Sequence, residues 1–243
     1  MKTKLILHTI LGMLLTTATF MSCDEHDPID TDIRGKSVQG YILCSDGRII
    51  QERDFNPDYN TPVGVVFAEK TENHPLLVVM LQEYQATFAD TMMVQNTSCS
   101  ETEFDGYTNT VALQSTKIAR DSLIVKDNKA DRRNWYTSSL GLLACNSHWF
   151  LQSDYVPSVA EMELLFLAKD KINPIIERCG GAPISNTAEN AACWYWTSTE
   201  VKENQTNQSW VFSMADGSRH KAPKTNTYKV RLIVEYNSLS QTK

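Results

Sequence analysis

The sequence has no concentrated basic stretch, no zinc-finger spacing, no Gly-x-Ser-x-Gly elbow and no His-Glu-x-x-His helix. Each absence removes a class of function. A nucleic-acid partner needs a clustered cationic face to displace counterions from phosphates. This chain is acidic instead, with 23 basic against 29 acidic residues and a formal net charge of -6. His148 and His220 stand isolated, so a dedicated metal site has no ligand set and no metal or other cofactor is expected. Without the nucleophile elbow or the zincin helix there is no hydrolase signature. No internal repeat, low-complexity tract or proline- or glycine-rich linker follows residue 37. A single domain over residues 37–238 is therefore expected, with a short tail at 239–243.

What is present begins at the N-terminus. Lys2 and Lys4 precede an apolar run from Leu5 to Leu15, and small polar residues lead on to Cys23. The run is too short for a comfortable membrane span and reads as a signal peptide over residues 1–22. Phe20-Met21-Ser22-Cys23 resembles the lipobox of bacterial lipoproteins, in which the cysteine is acylated and becomes the new N-terminus. Phe20 departs from the leucine usual there, and a cleaved signal without lipid is the alternative. Two or three acyl chains on Cys23 would give stable anchoring where one is marginal. Asp24 to Asp32 is acidic and aperiodic, so residues 23–36 read as a solvated tether. A cysteine followed by acidic residues also resembles the surface-export signals of Bacteroidota lipoproteins. The localisation expected is the cell envelope, as an outer-membrane lipoprotein held by its lipid, with the leaflet of display left open.

After the tether three blocks follow. Val38 to Cys44 and Arg48 to Gln51 read as strands around the turn Ser45-Asp46-Gly47. Val63 to Ala68 and Leu76 to Leu81 are valine-rich runs suited to strands buried on both faces. In the middle block, Thr110 to Ile124 and Trp135 to Ser147 are candidate helices, the second burying Leu140, Leu142 and Leu143. The last block carries a capping box, Ser158-Val159-Ala160-Glu161, just after Pro157. Met162, Leu165 and Phe166 continue it as a helical stripe widened by Leu164 and Leu167. Asn173-Pro174 is expected to break that helix and start another, which Gly180-Gly181 stops. Strands are expected at Trp194–Thr199, Ser209–Met214 and Tyr228–Tyr236, with a turn at Ala215 to Ser218. Strands, helices and strands again make an α+β domain.

Several motifs resemble the Lcl C-terminal-type domain, named for a collagen-like bacterial adhesin and found in lipoproteins of Bacteroidota. They are Tyr155-Val156-Pro157-Ser158-Val159-Ala160-Glu161, Cys179-Gly180-Gly181, Tyr195-Trp196-Thr197-Ser198-Thr199-Glu200, Trp210, Gly217 and Val230-Arg231-Leu232-Ile233-Val234. Asp105 to Thr110, Leu43 to Gly47 and Thr61 to Val66 extend the resemblance over most of residues 40–236. It implies a C-type-lectin-like fold, with N- and C-terminal strands paired and a long loop region forming an exposed face. Val38–Cys44 and Lys229–Glu235 are the strands that would pair.

Four residues are candidates for ligand binding or for the framework. Trp194, Trp196 and Trp210 either stack on a sugar or fill the core. Arg231, set among apolar residues, is either a ligand-binding cation or a structural charge paired with Glu161 or Glu200. The calcium-dependent lectin signatures Glu-Pro-Asn, Gln-Pro-Asp and Trp-Asn-Asp are absent. Cys179 and Cys193 are the candidate disulfide, which would close a loop of about 14 residues. Formylglycine-generating enzymes, which share the implied fold, use a paired cysteine site late in the chain, and no corresponding pair lies in the final strands. The expected function is thus a non-enzymatic binding or adhesion module for a glycan or a protein. A structural or accessory subunit of a fimbria-like assembly is the first alternative, and a formylglycine-generating-type enzyme the second. Replacing Cys23 by Ala should leave the protein uncleaved or unanchored, which fractionation of membranes and supernatant would reveal.

Overall fold

The computed structural model describes residues 37–89, 94–115, 138–146, 154–185, 187 and 192–236. The signal segment, Cys23 and the tether lie outside them. β1 (Ile42–Cys44) and β2 (Ile49–Ile50) form a hairpin over the expected Ser45–Gly47 turn. β3 (Pro62–Ala68) pairs antiparallel with β1 and with β4 (Leu76–Thr87). After the helices come β5 (Trp194–Glu200), β6 (Gln208–Ser213), β7 (Arg219–Pro223) and β8 (Thr227–Tyr236). All eight join one sheet in the order β2-β1-β3-β4-β8-β5-β6-β7. The pairings are antiparallel except β5 with β8, which is parallel at Tyr195 and Lys229. The α+β class expected from the sequence is what the architecture shows. β1 and β8 do not pair, contrary to expectation, because β3 and β4 stand between them. The long β4 is the partner that matches β8 in length.

Both faces of the sheet are covered. On one face α3 (Val159–Arg178) lays Met162, Leu165, Ile172 and Ile176 against Val65, Phe67, Leu77, Val79, Tyr195 and Ile233. On the other, α1 (Gly106–Ser115) and α2 (Ser139–Asn146) bring Leu113, Leu140 and Ala144 onto Val66, Val78, Trp196, Val211, Val230 and Leu232. Burial on both sides explains why β3 and the first half of β4 read as continuous apolar runs. Each fully buried side chain of this kind contributes about 1.5–3 kcal/mol.

Local chemistry sets the start and end of α3. The Ser158 hydroxyl accepts the Glu161 amide at 3.4 Å, and the Glu161 carboxylate accepts the Ser158 amide at 2.7 Å. The Ser158 hydroxyl donates in turn to the Glu103 carbonyl at 2.9 Å. Pro174 does not break the helix: α3 runs on to Arg178. Ile172, Ile175 and Ile176 are buried on the same stripe as Leu165, so core packing outweighs the lost hydrogen bond. Asn173 adds a tie, its amide donating to the Ile184 carbonyl and accepting the Ile184 amide. The helix stops at Gly180, where a φ of 74° suits glycine and the Gly181 amide reaches back to the Ile176 carbonyl at 2.9 Å.

α1 is held differently. Its buried residues are Gly106, Asn109, Thr110 and Leu113, a face with one large apolar side chain. Asn109 accepts the Ser98 amide at 2.7 Å and donates to Asp105 at 2.9 Å, while Thr110 accepts the Val156 amide at 2.9 Å. Hydrogen bonds to neighbouring segments fix this helix more than burial does. Ser158→Ala should cost about 1–2 kcal/mol through loss of the cap, measurable as a lower denaturant midpoint with unchanged slope.

Candidate functional site

The three candidate tryptophans do not share a face. Trp196 pairs with Val211 and Trp194 with Ser213 across β5 and β6, so both lie on the α1–α2 side. Trp210 precedes Val211 and faces the opposite side, with the Lys221 ammonium 5.4 Å from its ring centre. Trp196 is fully buried, donates to the Ala86 carbonyl at 3.0 Å, and meets Phe88 and Tyr228 edge-on at 5.5 and 5.0 Å. Trp194 is half-buried against His220 at 4.2 Å, and His220 lies 6.2 Å from Tyr228. The rings therefore make a half-buried strip of tilted edges and no flat stacking surface. Burial lowers the His220 imidazole below its ordinary value, which keeps it neutral at physiological pH.

Arg231 is buried at a break in the central pairing. Val79 opposes Ile233 and Glu83 opposes Arg231, so three residues of β4 face the single Leu232 of β8. This bulge frees backbone carbonyls that burial forbids to go unpaired. The Arg231 guanidinium donates to the carbonyls of Met80 at 3.2 Å and Leu81 at 2.9 Å, and to Ala182 beyond α3. Its counter-charge is Glu83, at 3.3 Å, and not the Glu161 or Glu200 expected from the sequence. Glu83 also accepts from the Tyr195 hydroxyl at 2.6 Å and pairs with Lys229 at 2.7 Å. Burial pulls the guanidinium below its ordinary value and Glu83 opposes that shift.

Glu200 has a separate partner, Lys224, which opens the turn after β7; both side chains are fully buried. The carboxylate also accepts the amides of Gln95 at 2.8 Å and Thr97 at 3.0 Å and the Thr97 hydroxyl at 3.1 Å. Asn96 between them adopts a φ of 60°, which turns both amides toward one anion. Lys224 donates to the Gln205 carbonyl at 2.6 Å, and its own carbonyl accepts the Phe88 amide at 2.9 Å. One ion pair thus ties together residues 95–97, the end of β4, β5 and the β7–β8 turn. Nothing in the isolated residues Glu200 and Lys224 announces it. The signal available was two charges flanking strands otherwise closed to water.

The expected Cys179–Cys193 disulfide is absent: both are free, as are Cys44 and Cys99. Cys179 caps α3 and packs in the same cluster as Cys44, whereas Cys193 lies before β5 with its sulfur 3.7 Å from the Ser213 hydroxyl. Closeness in sequence did not bring these two thiols together. Burial pushes the Cys44 and Cys179 thiols up to about 11, away from nucleophilic reactivity at neutral pH. Among the described residues no group of three or more histidines, cysteines or carboxylates is placed to hold a metal. No helix among them is long and apolar enough to cross a membrane.

Lys224→Ala should cost about 3–5 kcal/mol, because it strands a buried carboxylate. Trp196→Ala should cost a similar ~3–5 kcal/mol through the cavity it leaves. Urea unfolding of each variant measures both effects.

No family model matches the chain, and no curated protein matches it. The fold is similar to that of a fimbrial protein from Bacteroides ovatus, with a TM-score of 0.53 at 18% identity. The match covers 82% of this chain and 48% of that one, so this chain spans about half the length of its structural neighbour. At that identity the likeness is one of fold.

Proposed function

We propose that this protein is a non-enzymatic component of a fimbria-like assembly at the cell surface, anchored through Cys23. The observation that carries this reading is the shared fold with a fimbrial protein over 82% of the chain. The lipobox-like Phe20–Cys23 and the acidic tether supply the route to the envelope and the spacing from it. The outermost strands constrain how the protein would join its neighbours. β2 has two residues, and β7 carries Arg219, Lys221 and Pro223. Short, charged and proline-ended edges discourage strand addition, which favours contact through loops and faces.

A second reading, a displayed binding module for a glycan or protein, draws on an open groove of about 340 Å³ lined by Phe55, Asn60, Arg178 and Cys179. The Lcl-type resemblance belongs to this reading. Its support is the Tyr155–Glu161 segment at the start of α3 and the Tyr195–Glu200 strand, while the separation of β1 from β8 weighs against a lectin-like pairing of the termini.

Cross-linking intact cells that express the tagged protein, followed by mass spectrometry and immunogold labelling, distinguishes the two. Cross-links to fibre subunits with label along filaments are expected. A monomer that shows saturable glycan binding and no filament label would favour the binding module.

A further inference from the structure

Where β4 bulges, the sheet leaves a partly enclosed cavity of about 50 Å³ on its α1–α2 side. Val63, Met80 and Leu232 form its apolar wall, and Gln82, Tyr84 and Asp154 its polar one. Asp154 is 1% exposed, and its Oδ1 has no hydrogen-bond partner among the described residues. The carboxyl cannot easily swing out to water, because the next residue is clamped: Tyr155 exchanges two backbone hydrogen bonds with Ile233, both 2.9 Å. A buried carboxylate without a partner is costly, and a native fold normally pairs it or neutralises it.

We propose that this cavity binds a primary ammonium carried on a short alkyl stem, either a free alkylamine or a lysine side chain. The head group would pair with Asp154 and the stem would lie along Val63, Met80 and Leu232. Three features select that chemistry. One carboxylate cannot complete the six to eight oxygen ligands that calcium takes. The space admits a water-sized head with a few methylenes and excludes a planar guanidinium with its stem. The apolar wall rewards a hydrocarbon chain over a solvated inorganic cation. This inference is independent of the assembly reading.

Protonation gives the site a pH signature. Burial raises the Asp154 carboxyl to about 7, and Tyr84, the other titratable group lining the cavity, is itself raised, first by burial and then by the Asp154 charge. Asp154 is therefore ionised above neutrality and protonated below it, whereas an alkylamine keeps its charge throughout. Amine affinity should rise with pH.

The test titrates the full chain with n-butylamine, with n-butanol, and with a tripeptide bearing a central lysine, following binding by calorimetry at about pH 8.5 and about pH 5.5. Saturable binding of the amine, the lysine peptide or both at the higher pH is expected, at least about tenfold weaker at the lower, with butanol not binding. Amine alone identifies a small-molecule ligand, and peptide binding identifies a lysine side chain. Asp154→Asn should abolish binding while raising or preserving the melting temperature. Equal binding of butanol, binding unchanged in Asp154→Asn or between the two pH values, or no saturable binding of either ammonium probe would overturn the proposal.

Discussion

The junction of β4 with β8 is the constraint around which the rest of the molecule is arranged. The two strands pair from Leu76 and Tyr236 at one end to Thr87 and Thr227 at the other, with the bulge between. A bulge in a strand covered on both faces exposes carbonyls to a medium that cannot solvate them. Arg231 answers that need with donors fixed in a planar fork, which a lysine could not reproduce. Its charge then requires Glu83, and Glu83 draws in Lys229 and the Tyr195 hydroxyl. Through Tyr195 and Ala182 the same network reaches β5 and the segment after α3. A defect in pairing at the centre of the sheet has become the point where its two halves are joined.

The two ion-pair networks divide the labour. Arg231 and Glu83 hold the middle of the sheet, while Lys224 and Glu200 hold the loops beyond the ends of β5 and β7. Backbone groups supply much of the bonding in both: the Met80, Leu81 and Ala182 carbonyls for Arg231, and the Gln95 and Thr97 amides and the Gln205 carbonyl for Glu200 and Lys224. Buried charge in these two networks therefore serves architecture, whereas Asp154 lines a cavity and lacks a hydrogen bond to Oδ1.

Much of the fold was legible because apolar runs and caps report directly on burial and on orphan amides. Val63–Ala68, Leu76–Leu81, Trp194–Thr199 and the Ser158 capping box all lie where the sequence placed them. What escaped was polar. The second half of β4, from Gln82 to Thr87, alternates and carries Glu83, so no apolar run extends the strand past Leu81. β7 reads Arg-His-Lys-Ala-Pro, which no strand pattern would select, and it exists because β6 offers it a ladder. α1 starts at Gly106, four residues before the candidate helix expected from Thr110, because Gly106 and Asn109 on its buried face give no signal to a search for apolar periodicity. The partner of Arg231 was misjudged for the same reason: long-range register, unlike helix capping, is not written in local spacing. Asp154 carried no sequence signal at all, since only its burial makes it unusual.

Gly106 opens α1 on one side of the sheet, beside the residues that start α3 on the other. A Cβ at this position would stand 2.1 Å from the Glu161 Oε2, 2.8 Å from the Ser158 nitrogen and 2.9 Å from the Val156 oxygen. The carboxylate that caps one helix therefore occupies the room a side chain on the other would need. The two helical layers are registered to each other at this contact, so neither can slide along the sheet alone. A single hydrogen atom in place of a methyl group is what lets the front and back of the protein share a common origin.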